Sequence, residues 1–346
     1  MTDLVSRKTG LGRRALLRGT GLAAGALAMP AIVRAAPAQI NVAYFLSTHP
    51  FMVAKGEGWI EQAAKTKINW IEVGSGAEIN TGIAAGSIDM GFGIGSSPTA
   101  AGIAQGIPYE LVAMMDNVGP AEEMTVRTAA KIKTPADFKG KKVATPFGST
   151  SHFRLLGFLK TNKLTQRDVT VLDMRPDAMV AAWTRGDIDA GYVWPPAKSK
   201  LIAAGGTKFK TYDKLEAAGY VITDCIIART AFSAPNADIM AGILKAYGRA
   251  LEMYKAKPAD TAVMVGKLAG VSAEVAKEEM AEYDFIPLKT QLTPAWFGTT
   301  GHEGKFAGVL KSTADFLVEQ KSIKSAPPVA AFAKAINTKY LAAALA

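Results

Sequence analysis

The chain has 346 residues, 49% of them hydrophobic and 20% charged, with a formal net charge of +10. That length suits two lobes of moderate size, and the composition supports a packed core and excludes a wholly disordered chain. Half of the net charge lies in residues 1–35, and the remainder carries no dense basic run beyond Lys139-Gly140-Lys141-Lys142, which argues against nucleic-acid binding.

The N-terminus reads as a targeting peptide. The basic stretch Gly12-Arg13-Arg14-Ala15-Leu16-Leu17-Arg18 precedes a mildly apolar segment over 19–32, and small residues follow through Ala35 and Ala38. Paired arginines ahead of two leucines resemble the twin-arginine export signal. Residues 1–38 are therefore expected to be a signal peptide, removed after Ala35 or Ala38, leaving a periplasmic protein. Cys225 is the sole cysteine, which excludes an intramolecular disulfide and a Cys-based zinc site. Its place in an apolar run fits a small buried core residue.

From residue 40 strands and helices alternate. Residues 40–45 and 68–73 are β-rich, 77–86 suits a helix, 89–93 a short strand, 97–105 a helix and 109–115 a fourth strand. This alternation predicts a mostly parallel sheet covered on both faces. The pattern then restarts, with strands at 142–145, 169–174 and 190–194 and helices at 151–160 and 177–185. An apolar run after Tyr220 extends through Ile227, and beyond it only helices are expected, near 236–256, 259–269 and 273–281 and twice more toward the C-terminus. The second unit is bracketed by extended segments near 124–127 and 223–228. The pattern thus predicts an α/β fold of two lobes joined by two crossover strands, with 39–123 and 224–346 in lobe 1 and 124–223 in lobe 2. Two crossovers would let the lobes close around a ligand.

Two turns carry the candidate chemistry. Gly95-Ser96-Ser97-Pro98 opens a helix, with Ser97 expected as the N-cap and Pro98 at the first helical position. Gly148-Ser149-Thr150-Ser151 opens another. Both leave backbone N–H groups and hydroxyls free at a helix N-terminus, which suits an anion, and both loops follow the carboxyl end of a strand. His152, in the first turn of the second helix, is expected to face the cleft, whereas His49 and His302 stand apart without metal spacing. Glu122 and Asp224 fall at the two crossings. Asp224 interrupts an apolar run, where an acid is costly unless paired, and a ligand ammonium would pair it. Tyr192 and Trp194 end a strand and are candidate cleft walls, with core packing the equal alternative. Asp187 and Asp189 read as turn formers after a helix-ending Gly186. No phosphate-loop lysine follows either glycine-serine turn, and no serine–histidine–acid set can be assigned from spacing. Neither catalysis nor a cofactor is inferred.

Gly95-Ser96-Ser97-Pro98, Pro146-Phe147-Gly148-Ser149-Thr150-Ser151-His152, the stretch 181–189 and Tyr192-Val193-Trp194-Pro195-Pro196-Ala197 together resemble the taurine-binding proteins of bacterial ABC importers. These belong to a wider sulfonate, nitrate and thiamine-precursor binding group, and the resemblance runs nearly the length of the mature chain. It implies a type II periplasmic-binding-protein fold, a ligand held between two lobes, and delivery to an inner-membrane ABC permease powered by a separate ATPase. It also implies a small sulfonate ligand, taurine foremost, with an alkanesulfonate, hypotaurine, nitrate or an aromatic sulfonate as alternatives. A monomer is expected. Two positions after the hinge acid such relatives carry an aromatic where this chain has Ile226. Fungal thiamine-pyrimidine synthases of the same group use a pyridoxal-phosphate lysine, a reactive histidine and a cysteine-rich segment. A single cysteine and an export signal speak against that activity here.

Overall fold

The computed structural model describes residues 37–299 and 301–346, so nearly all of the expected signal peptide lies outside the described residues. The strands of the two larger sheets, in chain order, are β1 Gln39–Tyr44, β2 Lys67–Glu72, β3 Met90–Gly95, β4 Tyr109–Asn117, β5 Glu123–Arg127, β6 Lys142–Thr145, β7 Thr170–Asp173, β8 Ala190–Val193, β9 Gly206–Phe209, β10 Thr223–Arg229 and β11 Asp284–Phe285. They form one sheet ordered β11-β4-β10-β3-β1-β2 and another ordered β7-β6-β8-β5-β9.

The two sheets repeat one plan. In the first, β1 lies parallel to β2 and β3, and β10 runs antiparallel between β3 and β4. In the second, β6 lies parallel to β7 and β8, and β5 runs antiparallel between β8 and β9. Each antiparallel strand is the one that has just crossed from the other sheet. β5 follows β4, and β10 follows β9. Two α/β lobes of equal strand order, each completed by a strand from its partner, constitute the type II periplasmic-binding-protein fold.

The apolar run that follows Tyr220 becomes β10, a central strand covered on both faces. Cys225, Ile226, Ile227 and Ala228 are all fully buried, which is why this strand shows no polar alternation. The helix Ala237–Ala256 buries Met240, Ile243, Leu244, Tyr247, Ala250 and Leu251, a stripe at three- and four-residue spacing. Gly186 closes the helix Pro176–Arg185 at φ 85°, a left-handed position that glycine adopts freely. No described helix is long and apolar enough to cross a membrane.

Some elements differ from expectation. β9 and the helices Ala197–Ala203 and Tyr212–Ala217 occupy a stretch with no assigned elements, and the chain after β10 is not helical throughout, because β11 pairs antiparallel with β4. β9 is a short edge strand with exposed Thr207 and Lys208, so it lacks an apolar signature and depends on β5 for its pairing.

One side chain ties the crossings together. Arg154 is fully buried, and its guanidinium donates to the Gly119 and Tyr220 carbonyls, 3.3 and 3.2 Å away, and to the Glu216 carboxylate at 2.8 Å. Gly119 belongs to the first crossing and Tyr220 to the second.

Candidate functional site

Three helix N-termini meet at one cavity between the lobes. The helix Gly76–Ala84 follows β2, Ser96–Ala104 follows β3, and Thr150–Thr161 follows β6. Ser75 caps the first by accepting from the Glu78 N–H, Gly95 is the N-cap of the second, and Ser149 caps the third by accepting from the His152 N–H at 3.1 Å. Gly76, Gly95, Ser149 and Thr150 all line the cavity, which encloses about 570 Å³, its mouth included. Unpaired N–H groups and the partial positive charge of each helix end thus converge on one space.

Glycine allows this convergence. A Cβ on Gly95 would lie 2.3 Å from Thr150 Cγ2 across the lobe boundary, and one on Gly76 would lie 2.3 Å from Pro98 Cγ. Gly95→Ala is therefore expected to push the lobes apart and weaken ligand binding, with a cost of about 1–3 kcal/mol, the usual range for overpacking. Calorimetric titration checks this, and unchanged affinity would show that the close approach is not needed in the bound state.

Acids stand next to these helix ends. Register places Asp224 of β10 beside Asp116 of β4 on one side and Gly95 of β3 on the other. Glu122 stands at the end of the first crossing with 2% of its surface exposed. Its Oε2 accepts from Thr150 Oγ1 at 2.8 Å, while Oε1 has no partner. Asp116 is fully buried, 3.2 Å from His49 Nε2. Asp224 lies deep in the protein but keeps part of its surface open to the cavity.

Burial pushes the Glu122 carboxyl up to about 7, against the pull of the Thr150 hydrogen bond and the Arg154 charge. Asp224 is raised well above the usual carboxylate range, first by burial and then by the negative charges of Asp116 and Glu122. Asp116 is raised by burial in spite of His49. Two carboxyl groups, Glu122 and Asp224, thus line the cavity with Asp116 buried beside Asp224, and a cation entering the cavity would favour their charged forms. Phe45, Phe51, Phe92, Trp194 and Tyr283 supply the apolar remainder, with Phe51 and Phe92 stacked at 4.8 Å.

Of the residues singled out from sequence, Glu122, Ser149, Thr150, Trp194 and Asp224 line this cavity. The others sit elsewhere, each for a local reason. Ser96 is fully buried at the first helical position, and its hydroxyl accepts from the Thr223 N–H at 3.3 Å, tying the helix to β10. Ser97 is not the cap. The helix begins two residues earlier than that cap implies, so Ser97 turns away and lines a separate groove beside His152. Ser151 is fully buried close to Glu122. His152 likewise faces the groove, not the cavity, stacked on Phe147 at 4.3 Å. Burial pushes its pKa down to about 4, so the ring is neutral at neutral pH. Tyr192 is a core residue, fully buried with its hydroxyl 3.1 Å from Thr211 Oγ1. Trp194 lies just beyond the end of β8 and escapes the strand's alternation, which is why it reaches the cavity and Tyr192 does not.

Sequence reasoning passed over His49, Asp116 and Arg154. Asp116 carried the signal that marked Asp224, an acid in an apolar strand. His49 sits in the loop after β1, on the strand edge where the other site loops lie. Ile226 is fully buried between Phe92 and Ala113 in register, so the departure noted there belongs to the core and not to the cavity wall. Among the described residues no cluster of His, Cys, Asp and Glu could hold a metal ion.

The family described as NMT1/THI5 like matches residues 47–261. The chain is 30% identical to the taurine-binding periplasmic protein of Escherichia coli K12 over 287 residues, covering 82% of this chain and 87% of that one. It is 26% identical to a putative aliphatic sulfonates-binding protein of the same organism over 290 residues, covering 83% and 86%. The fold is similar to that of the alkanesulfonate-binding protein SsuA of Xanthomonas axonopodis pv. citri bound to MOPS, at a TM-score of 0.73 and 24% identity, covering 88% of this chain and 99% of that one. By family match and by relatives alike, the chain belongs to the NMT1/THI5-like family and is a solute-binding protein of the sulfonate and taurine type.

Proposed function

We infer that the protein captures taurine, or an aminosulfonate of similar size, between its lobes and delivers it in the periplasm to the permease of an ABC importer. The observation that carries this reading is a cavity that brings three helix N-termini together with the carboxyl groups of Glu122 and Asp224. A sulfonate is anionic at every relevant pH and only accepts hydrogen bonds, so it suits the helix ends. An ammonium two carbons away suits Asp224 and Glu122. The names of the relatives agree with a sulfonate, and the Glu122 and Asp224 carboxyl groups favour one that bears an amine. The role is binding without catalysis. On this reading residues 1–38 serve export, 39–123 and 224–346 build lobe 1, and 124–223 build lobe 2.

A plain alkanesulfonate is the second reading, favoured by the aliphatic-sulfonate relatives. Calorimetric titration against taurine, hypotaurine, ethanesulfonate, nitrate and sulfate separates the two. Taurine is expected to bind most tightly, with ethanesulfonate weaker by about 1.5–3 kcal/mol, the range for a hydrogen bond involving a charged group. Ethanesulfonate binding as tightly as taurine would transfer the assignment to the second reading, and nitrate binding tightest of all would overturn both.

A further inference from the structure

Trp194 lines two spaces at once, the ligand cavity and an outer pocket of about 710 Å³ that is partly open to solvent. The ring meets Phe45 edge-on, with centroids 5.5 Å apart and planes at 87°. Phe45 follows β1 in the first lobe and Trp194 follows β8 in the second, so the partition takes one ring from each lobe and is complete only when the lobes meet. Gly93 leaves Phe45 room, since a Cβ there would lie 3.2 Å from the Phe45 ring, and the Lys198 N–H donates to the Trp194 carbonyl at 3.1 Å.

The outer pocket differs in character from the inner cavity. Leu46, Pro176 and Val180 give it apolar wall, and the charged side chains of Glu72, Arg175, Asp177 and Lys200 also line it. Arg175 also bonds Glu78 on the opposite lobe at 2.6 Å, so the pocket has a bridge across it when the lobes are together. A mixed apolar and polar space of this kind suits a small saturated ring carrying a heteroatom.

Building on the aminosulfonate reading above, we propose that Trp194, with Phe45, is the size-selecting partition of the cleft. It confines ligands to the inner cavity and excludes aminosulfonates whose nitrogen carries a bulky substituent. Shortening Trp194, the ring that lines both spaces, merges them, removing Phe45 takes away the edge contact that keeps that ring in place, and the outer pocket then becomes a subsite for that substituent.

The test is titration of taurine and MOPS, a sulfonate whose nitrogen sits in a morpholine ring, into the wild-type protein, Trp194→Ala and Phe45→Ala. The wild type is expected to prefer taurine by a wide margin. Each variant should bind MOPS roughly tenfold or more tighter than the wild type does while losing taurine affinity, as expected when a steric wall is removed from one pocket. The double variant should gain little beyond either single one, because both open the same wall. Phe45→Ala keeps the question answerable if Trp194→Ala fails to fold. An unchanged taurine-to-MOPS ratio in folded variants would overturn the partition and leave the sulfonate reading standing. A wild-type protein that binds neither compound would overturn both.

Discussion

Asp224→Asn is expected to weaken taurine binding by about 2–5 kcal/mol, the usual cost of truncating one member of a buried charge pair. Asp224 sits in β10 opposite Asp116, within the field of Glu122, and burial already disfavours its charge. A bound ammonium would supply the missing counter-charge, and asparagine would leave that ammonium desolvated against a neutral amide. Ethanesulfonate has no ammonium, so its affinity should change far less. The ligand-free protein should gain thermal stability, because one of three crowded acids is gone. The double readout separates ligand contact from damage to the fold, which would weaken both compounds alike. Equal losses for taurine and ethanesulfonate, with the thermal midpoint preserved, would remove Asp224 from the ammonium site and leave Glu122 as its partner.

The second large effect concerns pH. Glu122 is raised from 4.5 to about 7 in the folded protein, with burial as the leading cause. The folded state therefore holds a proton that the unfolded chain has already released between those values. Stability then falls as pH rises through this window, because the unfolded state binds fewer protons there. A shift of this size corresponds to roughly 3 kcal/mol for a group so little exposed. Guanidinium unfolding of the ligand-free protein at either end of the window, for the wild type and Glu122→Gln, measures it. The wild type should lose that much more stability than the variant, and parallel pH profiles would show that Glu122 titrates normally. Taurine binding should release protons near neutral pH, since its ammonium favours the ionised carboxylate, whereas ethanesulfonate should take them up. Calorimetry in buffers of differing ionisation enthalpy distinguishes the two signs.

The legible part of the site was its local grammar. Gly95-Ser96 and Gly148-Ser149-Thr150 announce strand-to-helix turns by their residue types, and such turns place N–H groups at the carboxyl edge of a sheet wherever the rest of the chain goes. The direction of each side chain was not legible to the same degree. Two residues of difference in where the helix after β3 is capped send Ser97 into a neighbouring groove, and the end of β8 decides that Trp194, not Tyr192, reaches the ligand space. The third helix N-terminus, at Gly76, went unremarked because Ser75-Gly76 has no meaning until Pro98 and Gly148 pack against it.

By itself the sequence determined the α/β alternation, the two-unit plan with its paired crossings and the character of the turns, since periodicity, capping and glycine chemistry act over a few neighbouring residues. Tertiary structure alone decided the clustering of the acids. Asp116 and Asp224 are 108 positions apart and become neighbours only because β10 enters the first sheet antiparallel between β3 and β4. The same holds for Arg154, which reaches both crossings, and for the Phe45–Trp194 contact, where each lobe supplies one ring. These are long-range pairings set by strand order and lobe contact, and no local pattern encodes them.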